Sequence, residues 1–285
     1  MQPIAIAAAS FGLAALLSAA TAQAGCLDDI KKAGVIRSGN GIMGTKPSVW
    51  QEKDGSYTGY EWEIFQELGK RIGVPKTEYV VTEWTSLIPG LKAGRWDIIL
   101  SGMAVTQERE QSAGVRYTMP YFILYDYAIV PEKSPIKTLA DLKGKTLGST
   151  LGTMDSLNAH MLVDKGDAGS VLDFNTFGEP FMALRNAQVD AVILDQGTLY
   201  GQQEAMHDLR TIGEPIYYHP KAAWADAEAK APYILGGTAI GTRKECDDLR
   251  EALNKALESM DADGTRKAIL TKYGVWADNQ AKLMK

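Results

Sequence analysis

The alternation of short apolar runs with amphipathic segments is the sequence feature that most restricts how this chain can fold. Residues 98–100 form an apolar run without a polar residue, which is typical of a strand buried in a parallel sheet. Apolar residues recur at helical spacing over 64–72, and Gly73 ends that segment. A similar alternation starts again after Pro131. The sequence therefore predicts an α/β fold built from two similar blocks.

The composition bounds the class of protein. The chain has 285 residues, of which 45% are hydrophobic, so it can form one large core or two modest ones. Charged residues make up 23% of the chain and the net charge is −5. A dedicated nucleic-acid binder is usually basic, so this composition argues against nucleic acid as a partner.

The first 24 residues have the pattern of a signal peptide. Residues 4–20 carry no charge and are rich in Ala and Leu, and Ala22-Gln23-Ala24 follows as a small-x-small cleavage motif. We expect residues 1–24 to be removed after Ala24 and the mature protein to be exported to the periplasm. The missing Lys or Arg before the apolar run is atypical, and a buried N-terminal helix is the alternative.

Two cysteines remain after this cleavage, Cys26 and Cys246. An even number of cysteines in an oxidising compartment favours a disulfide. The alternative is a lipid-anchored Cys26. The preceding residues 23–25 lack the aliphatic side chain that usually stands three positions before such a cysteine.

Patterns for nucleotides and metals are weak in this chain. Residues 39–44 fit the glycine spacing of a dinucleotide-binding turn, but Pro47 follows too soon for a helix to begin there. His160, His207 and His219 lack the spacing of metal ligands. We therefore expect neither a cofactor nor a metal.

Several motifs agree with one another along the chain. The longest is WTSLIPGLKAGRWDIILSGMAVTQER over residues 84–109, and shorter pieces lie at 54–61, 117–121, 136–145 and 191–195. In this order they resemble the bacterial extracellular solute-binding proteins, family 3, in its polar amino-acid-binding branch. The resemblance covers nearly all of the mature chain.

This resemblance implies the two-lobed periplasmic-binding-protein fold of type II, with two hinge crossings. Lobe 1 would contain residues 25–131 and 236–285, and lobe 2 residues 132–235. The hinges are expected near Val130–Lys133 and Tyr233–Gly237, and closure of the lobes would enclose the ligand.

The resemblance also implies which residues bind the ligand. Arg109 stands at the family's carboxylate-binding arginine, and a planar guanidinium suits this task. Asp195 would pair with the ligand ammonium, although a helix N-cap is its alternative role. Thr153 and Met154 would offer backbone amides at a helix N-terminus. A surface or helix-capping role is the alternative for Arg109.

Aromatic and small residues complete this predicted site. Trp84 and Trp50 occupy positions where the family places pocket-side aromatic residues, with core packing as the alternative. Gly102 and Ala104 belong to the segment that faces the ligand. The family often has a hydroxyl residue in place of Ala104 and a threonine in place of Met154, so two side-chain donors are missing here. The segment 213–232 is also longer than expected.

The predicted function is the substrate-binding component of an ABC importer that binds an amino acid or a similar zwitterion. Its partners would be this small solute and a membrane permease, and the protein would be a monomer and not an enzyme. The alternatives are an enzyme similar to cyclohexadienyl dehydratase and a ligand-sensing binding protein. Such an enzyme needs a general acid, for which Glu83, Glu179 and Glu204 are candidates.

Overall fold

The computed structural model describes residues 25–203, 207–231 and 236–283. The predicted signal peptide, residues 1–24, lies outside them. The strands are β1 (Ile36–Asn40), β2 (Trp50–Gln51), β3 (Tyr57–Thr58), β4 (Thr77–Val81), β5 (Ile98–Ile99), β6 (Val115–Tyr117), β7 (Phe122–Ile123), β8 (Asp126–Pro131), β9 (Thr146–Thr150), β10 (Ser170–Phe174), β11 (Ala191–Asp195), β12 (Leu209–Ile216), β13 (Gly237–Thr238) and β14 (Gly241–Arg243). The helices are α1 (Cys26–Ala33), α2 (Tyr60–Arg71), α3 (Leu87–Lys92), α4 (Met154–Asp164), α5 (Glu179–Arg185), α6 (Gln196–Gln203), α7 (Ala225–Ala229), α8 (Asp247–Ala262), α9 (Thr265–Lys272) and α10 (Asp278–Ala281).

Two five-stranded sheets form the two α/β units that the sequence predicts. The first sheet has the strand order β4-β1-β5-β14-β6, in which β1 pairs in parallel with β4 and β5. Its strand β14 comes from the C-terminal part of the chain and pairs antiparallel with β5 and β6. The first lobe is therefore assembled from two separate parts of the chain.

The second sheet has the strand order β10-β9-β11-β8-β12. Strand β9 pairs in parallel with β10 and β11, whereas β8 pairs antiparallel with β11 and β12. Helices α4 and α5 pack on this sheet. Apolar side chains fill both of its faces, since Ile129 and Val130 are fully buried in two different clusters.

The first crossing between the lobes lies earlier than expected. Strand β7 pairs with β13 of the first lobe, and β8 already belongs to the second sheet. The chain therefore crosses at Leu124–Tyr125 and not at Val130–Lys133. The expectation was wrong because the apolar run that ends at Pro131 looked like the last strand of lobe 1. We define lobe 1 as residues 25–124 and 236–283, and lobe 2 as residues 125–203 and 207–231.

The second crossing was expected at Tyr233–Gly237. Residues 232–235 lie outside the described residues, and Gly237 already pairs with Ile123 in lobe 1. The return to lobe 1 is therefore complete at Gly237.

Helix α2 brings two polar side chains, those of Tyr60 and Glu61, to the inner edge of lobe 1. Gly59 precedes it with a φ of 119°, and a Cβ there would lie 2.2 Å from the Ser48 carbonyl oxygen. Only glycine fits such a turn. The helix then buries Ile64 and the following apolar residues against the core of the first lobe.

A disulfide joins Cys26 to Cys246, which confirms the predicted pairing. It ties the first residue of α1 to the residue that precedes α8. Because the Cys26 sulfur is used in this bond, the lipid-anchored alternative does not apply. Over the described ranges, no helix combines the length and the apolar character that crossing a membrane requires.

Candidate ligand-binding site

A small cavity lies between the two lobes. Its volume is about 30 Å³, which corresponds to about two water molecules. Its lining residues come from both lobes and from the first crossing: Ile42, Thr45, Ser48, Tyr60, Trp84, Gly102, Ala104, Arg109, Leu124, Thr153, Met154, Asp155, Phe177, Asp195 and Thr198. The lobes are thus closed, and an amino acid needs them to separate before it can enter.

Arg109 begins a single π-helical turn, residues 109–113, and connects the two lobes. Its Nη1 donates to the Ala104 carbonyl oxygen within lobe 1. Its Nη2 donates to the Gly152 carbonyl oxygen of lobe 2 at 2.8 Å. The guanidinium carbon also lies 5.9 Å from the centroid of the Trp84 ring, within the range of a cation–π contact. A cationic group is therefore fixed at the rim of the cavity.

Trp84 shares one acceptor with this arginine. Its Nε1 donates to the Gly152 carbonyl oxygen at 3.2 Å, and its ring packs edge-on against Phe177 of lobe 2. Gly152 has a φ of 76°, so the loop before α4 turns sharply and presents this carbonyl to lobe 1. Two side chains of lobe 1 thus bind one backbone oxygen of lobe 2.

Asp195 ends β11 and caps the following helix. Its Oδ1 accepts from the Thr198 amide at 3.0 Å, and its Oδ2 accepts from the Thr198 hydroxyl. Burial raises the pKa of this carboxyl group, while the bonds from Thr198 lower it. The two roles considered for Asp195 are compatible, because the capping carboxylate also lines the cavity.

Thr153 caps helix α4 at the cavity. Its Oγ1 accepts from the Ser156 amide at 3.1 Å and donates to the Thr150 carbonyl oxygen at 2.7 Å. The first turn of an eleven-residue helix therefore faces the cavity. Orphan amides at such a terminus attract negative charge.

The two residues that depart from the family pattern, Ala104 and Met154, belong to one apolar cluster. The cluster joins Ala104 of lobe 1 to Met154 and Tyr218 of lobe 2, with Leu124 of the crossing packed against it. Tyr218 comes from the long segment noted in the sequence. An apolar contact between the lobes thus occupies the place of two side-chain hydroxyl groups.

Gly102 lines the cavity, but its amide is engaged within lobe 1. It donates to the Glu61 Oε1 at 2.7 Å, and the Tyr121 hydroxyl donates to the same oxygen. Burial raises the pKa of Glu61 to about 7, and the negative charge of Asp195 adds to this. Glu61 thus connects the loop of Gly102 to helix α2.

The carboxyl groups of Asp155 and Asp126 form a second buried acidic pair. Asp155 lies in the first turn of α4 and lines the cavity, and Asp126 begins β8 directly behind it. Burial raises the pKa of both carboxyl groups, and that of Asp126 reaches about 7.

Trp50 does not line the cavity. Its Nε1 donates to Glu52 at 2.9 Å, and its ring packs edge-on against Tyr273. The hairpin of β2 and β3 places it on the outside of lobe 1, which residue spacing alone does not reveal. The other seven predicted residues line the cavity together.

The sequence interpretation missed eight lining residues, namely Ile42, Thr45, Ser48, Tyr60, Leu124, Asp155, Phe177 and Thr198. An acidic residue in the first turn of a helix is common for reasons of helix electrostatics, so Asp155 gave no distinct signal. Of the candidate general acids, Glu83 and Glu179 are exposed and do not line the cavity. Glu204 lies outside the described residues.

A segment of lobe 2 reaches over to the turn that carries Arg109. We call residues 217–231 the strap. Its Lys221 Nζ lies 3.0 Å from the Glu108 carboxylate. Its buried Glu228 accepts from the Gln107 amide at 2.7 Å and from the Tyr218 hydroxyl at 3.2 Å. The strap therefore contacts lobe 1 beside the cavity.

The chain is similar in sequence to proteins with curated descriptions. The chain is 27% identical over 235 residues to a probable histidine-binding protein of Campylobacter jejuni, covering 81% of this chain and 83% of that protein. It is 28% identical over 258 residues to the L-cystine-binding protein TcyJ of Escherichia coli K12, covering 88% and 87%.

Solved structures show the same fold. An ancestral arginine-binding protein bound to arginine matches with a TM-score of 0.69 and 28% identity, covering 84% of this chain and 98% of that one. An ancestral amino acid-binding protein, described as a precursor of cyclohexadienyl dehydratase, matches with a TM-score of 0.70 and 25% identity, covering 87% and 98%. The profile of the bacterial extracellular solute-binding proteins, family 3, matches residues 41–275. The chain therefore belongs to the bacterial extracellular solute-binding proteins, family 3.

Proposed function

We propose that this protein is the substrate-binding component of an ABC importer and that it binds an amino acid or a similar zwitterion in the interlobe cavity. The observation that carries the proposal is the placement of a cation, Arg109, and an anion, Asp195, on opposite lobes around one cavity. According to their names, the relatives described above bind histidine, cystine and arginine. All of these are amino acids.

Arg109 is proposed to bind the ligand carboxylate. In the closed structure its Nη2 donates to the neutral Gly152 carbonyl oxygen. A carboxylate offers two charged oxygens to the same guanidinium, and such charge-assisted bonds are stronger than a bond to a neutral carbonyl. The amides at the start of α4 add donors from the other lobe. The carboxylate would then join the lobes through Arg109 and α4.

Asp195 is proposed to bind the ligand ammonium. Asp195 is partly buried, with Thr198 as its donor in the closed structure. An ammonium group in the cavity would neutralise its charge and return its pKa toward the usual range. Since the zwitterion needs both lobes, closure follows binding. The protein would deliver the closed complex to a membrane permease as a monomer.

The test is a binding titration of the mature protein with the common amino acids, by thermal shift and then by calorimetry. We expect at least one amino acid to bind, and Arg109→Ala to weaken that binding by roughly 2–5 kcal/mol, because a buried carboxylate would lose its partner. Arg95→Ala, on an exposed loop of the same lobe, is the matched control.

Two results would count against the proposal. If no amino acid stabilises the protein, the cavity serves another kind of solute. If Arg109→Ala binds as tightly as Arg95→Ala, the carboxylate lies elsewhere.

Turnover is the second candidate function. It is favoured by one observation, the buried Asp155 carboxyl group whose raised pKa suits a general acid. Incubation with prephenate or arogenate tests it directly. Formation of an aromatic product would show that the protein is an enzyme and would overturn the receptor proposal. Unchanged substrate would support a protein that binds its solute without converting it.

A further inference from the structure

The cavity contains more carboxyl groups than a zwitterion requires. Asp155 and Asp195 line it, and Arg109 is the sole Lys, Arg or His among its described lining residues. Under the proposed function, Asp195 is matched by the ligand ammonium and Arg109 by the ligand carboxylate. Asp155 has no counterpart in this arrangement.

Asp126 adds a second acid behind Asp155. Both side chains are buried, at 0% and 4% exposure. Their carboxyl groups lie within hydrogen-bonding reach of each other. The negative charge of Asp195 also acts on this pair. The three carboxylates therefore repel one another at this side of the cavity.

The Asp126 carboxyl group is held in place but only half satisfied. Asn158 of α4 donates to its Oδ2 at 2.6 Å. Its Oδ1 is buried and receives no hydrogen-bond donor from the described residues. Buried carboxylate oxygens are rarely left without donors, and an exception calls for an explanation. Asp126 does not itself line the cavity, so a ligand donor would reach this acidic pair through Asp155.

We propose that Asp155, supported by Asp126, forms a subsite for a positively charged ligand side chain, so that the solute is a cationic amino acid. This inference rests on the proposed function. A guanidinium or ammonium group offers several donors and a full positive charge. Such a group would donate to the Asp155 carboxylate, and the proton held by the acidic pair would pass to solvent when the cation binds.

Neutral side chains fit this subsite less well. Burial raises the pKa of both carboxyl groups, and among the described lining residues the only cationic side chain is that of Arg109, which bonds to Ala104 and Gly152. A neutral ligand would leave the pair protonated or bury an uncompensated charge, and either state costs binding energy. A cationic amino acid should therefore bind more tightly than a neutral one of the same shape.

The test compares two matched pairs of probes by calorimetry at pH 7.5. L-arginine is compared with L-citrulline, in which a neutral ureido group replaces the guanidinium, and L-lysine with L-norleucine. We expect at least one cationic member to bind about tenfold or more tightly than its neutral partner. Asp155→Asn should reduce that preference to within about threefold, mainly by weakening the binding of the cationic member.

Two further variants define the subsite. Asp126→Asn should also reduce the preference for the cationic probe. This variant replaces Asp155→Asn in the test if Asp155→Asn does not fold. Asp164→Asn, at the exposed end of the same helix, changes the net charge equally and should keep the full preference.

The outcomes distinguish a failure of the cationic subsite from a failure of the proposed receptor function. If neutral and cationic probes bind alike, or if both Asp variants keep the preference, the cationic subsite is wrong while the receptor function stands. If no amino acid binds at all, the proposed function itself fails.

Discussion

Ala104 and Met154 replace hydroxyl side chains with an apolar contact between the lobes. Both are almost fully buried and pack together with Tyr218. At these two positions, a carboxylate bound as proposed would find no side-chain hydroxyl donor, so Arg109 and the backbone amides would supply its bonds there.

Glu61 makes the stability of the ligand-free protein depend on pH. Its pKa rises from 4.5 to about 7 on folding, mainly through burial. A raised folded-state pKa gives stability that is present below pH 4.5 and is lost as the pH rises toward 7. We expect unfolding free energy to fall over this range by an amount of order 3 kcal/mol from this group.

Urea unfolding at pH 4.5 and pH 7.5 checks this prediction. Glu61→Gln keeps an acceptor for Gly102 and Tyr121 but does not titrate, so its stability should change less between the two pH values. Glu251→Gln, on the exposed side of α8, should behave as the wild type does. Equal pH dependence in all three proteins would show that Glu61 is ionised throughout.

Sequence patterns predicted two charged residues that line the cavity but not all of its walls. Arg109 and Asp195 were predicted because each belongs to a recognisable motif. Trp50 was predicted to face the pocket, but it lies on the outer side of lobe 1. That position depends on how a short hairpin packs against Tyr273. Asp155 was missed because its role depends on Asp126, which is 29 residues away in the chain and comes close only in the folded sheet.

At the scale of elements, the alternation of strands and helices was predicted well and the boundary between the lobes was not. From the sequence, β8 was predicted to be the last strand of lobe 1. In the structure it pairs with β11 and β12 of the second sheet. Local patterns predict that a strand exists. Its neighbours depend on tertiary packing, and a single sequence does not display them.

The strap contributes to closure through a buried contact and an exposed one. Glu228 is 2% exposed and accepts from the Gln107 amide, next to the turn of Arg109. We expect Glu228→Ala to weaken ligand binding by about tenfold through faster dissociation, because a buried donor loses its acceptor. Stopped-flow release of the ligand measures this rate.

Lys221→Ala is the comparison within the same strap. Its ion pair with Glu108 is about half exposed, at 53% and 36% for the two side chains. Exposed ion pairs contribute little, so we expect a change of about threefold or less in affinity. If Lys221→Ala slowed or sped dissociation as much as Glu228→Ala, charge and not burial would govern the strap.

At the scale of the whole molecule, the disulfide joins residues 220 positions apart in the chain. In the chain-entropy model, closing so long a loop stabilises the folded state by roughly 4 kcal/mol or more. We expect the double variant Cys26→Ser, Cys246→Ser to lose about this much unfolding free energy in urea. The wild type in reductant should match it, and an unchanged midpoint in both would contradict the prediction.

Lobe 1 is discontinuous in the chain, and this sets the order in which the protein can form. All strands of the second sheet lie within residues 126–216, so lobe 2 can fold while later residues are still being made. Until β14 arrives, β5 and β6 have no strand between them and expose unpaired edges. Open edges invite pairing with other chains. The newly made protein is therefore most prone to aggregate just before its last fifty or so residues join lobe 1.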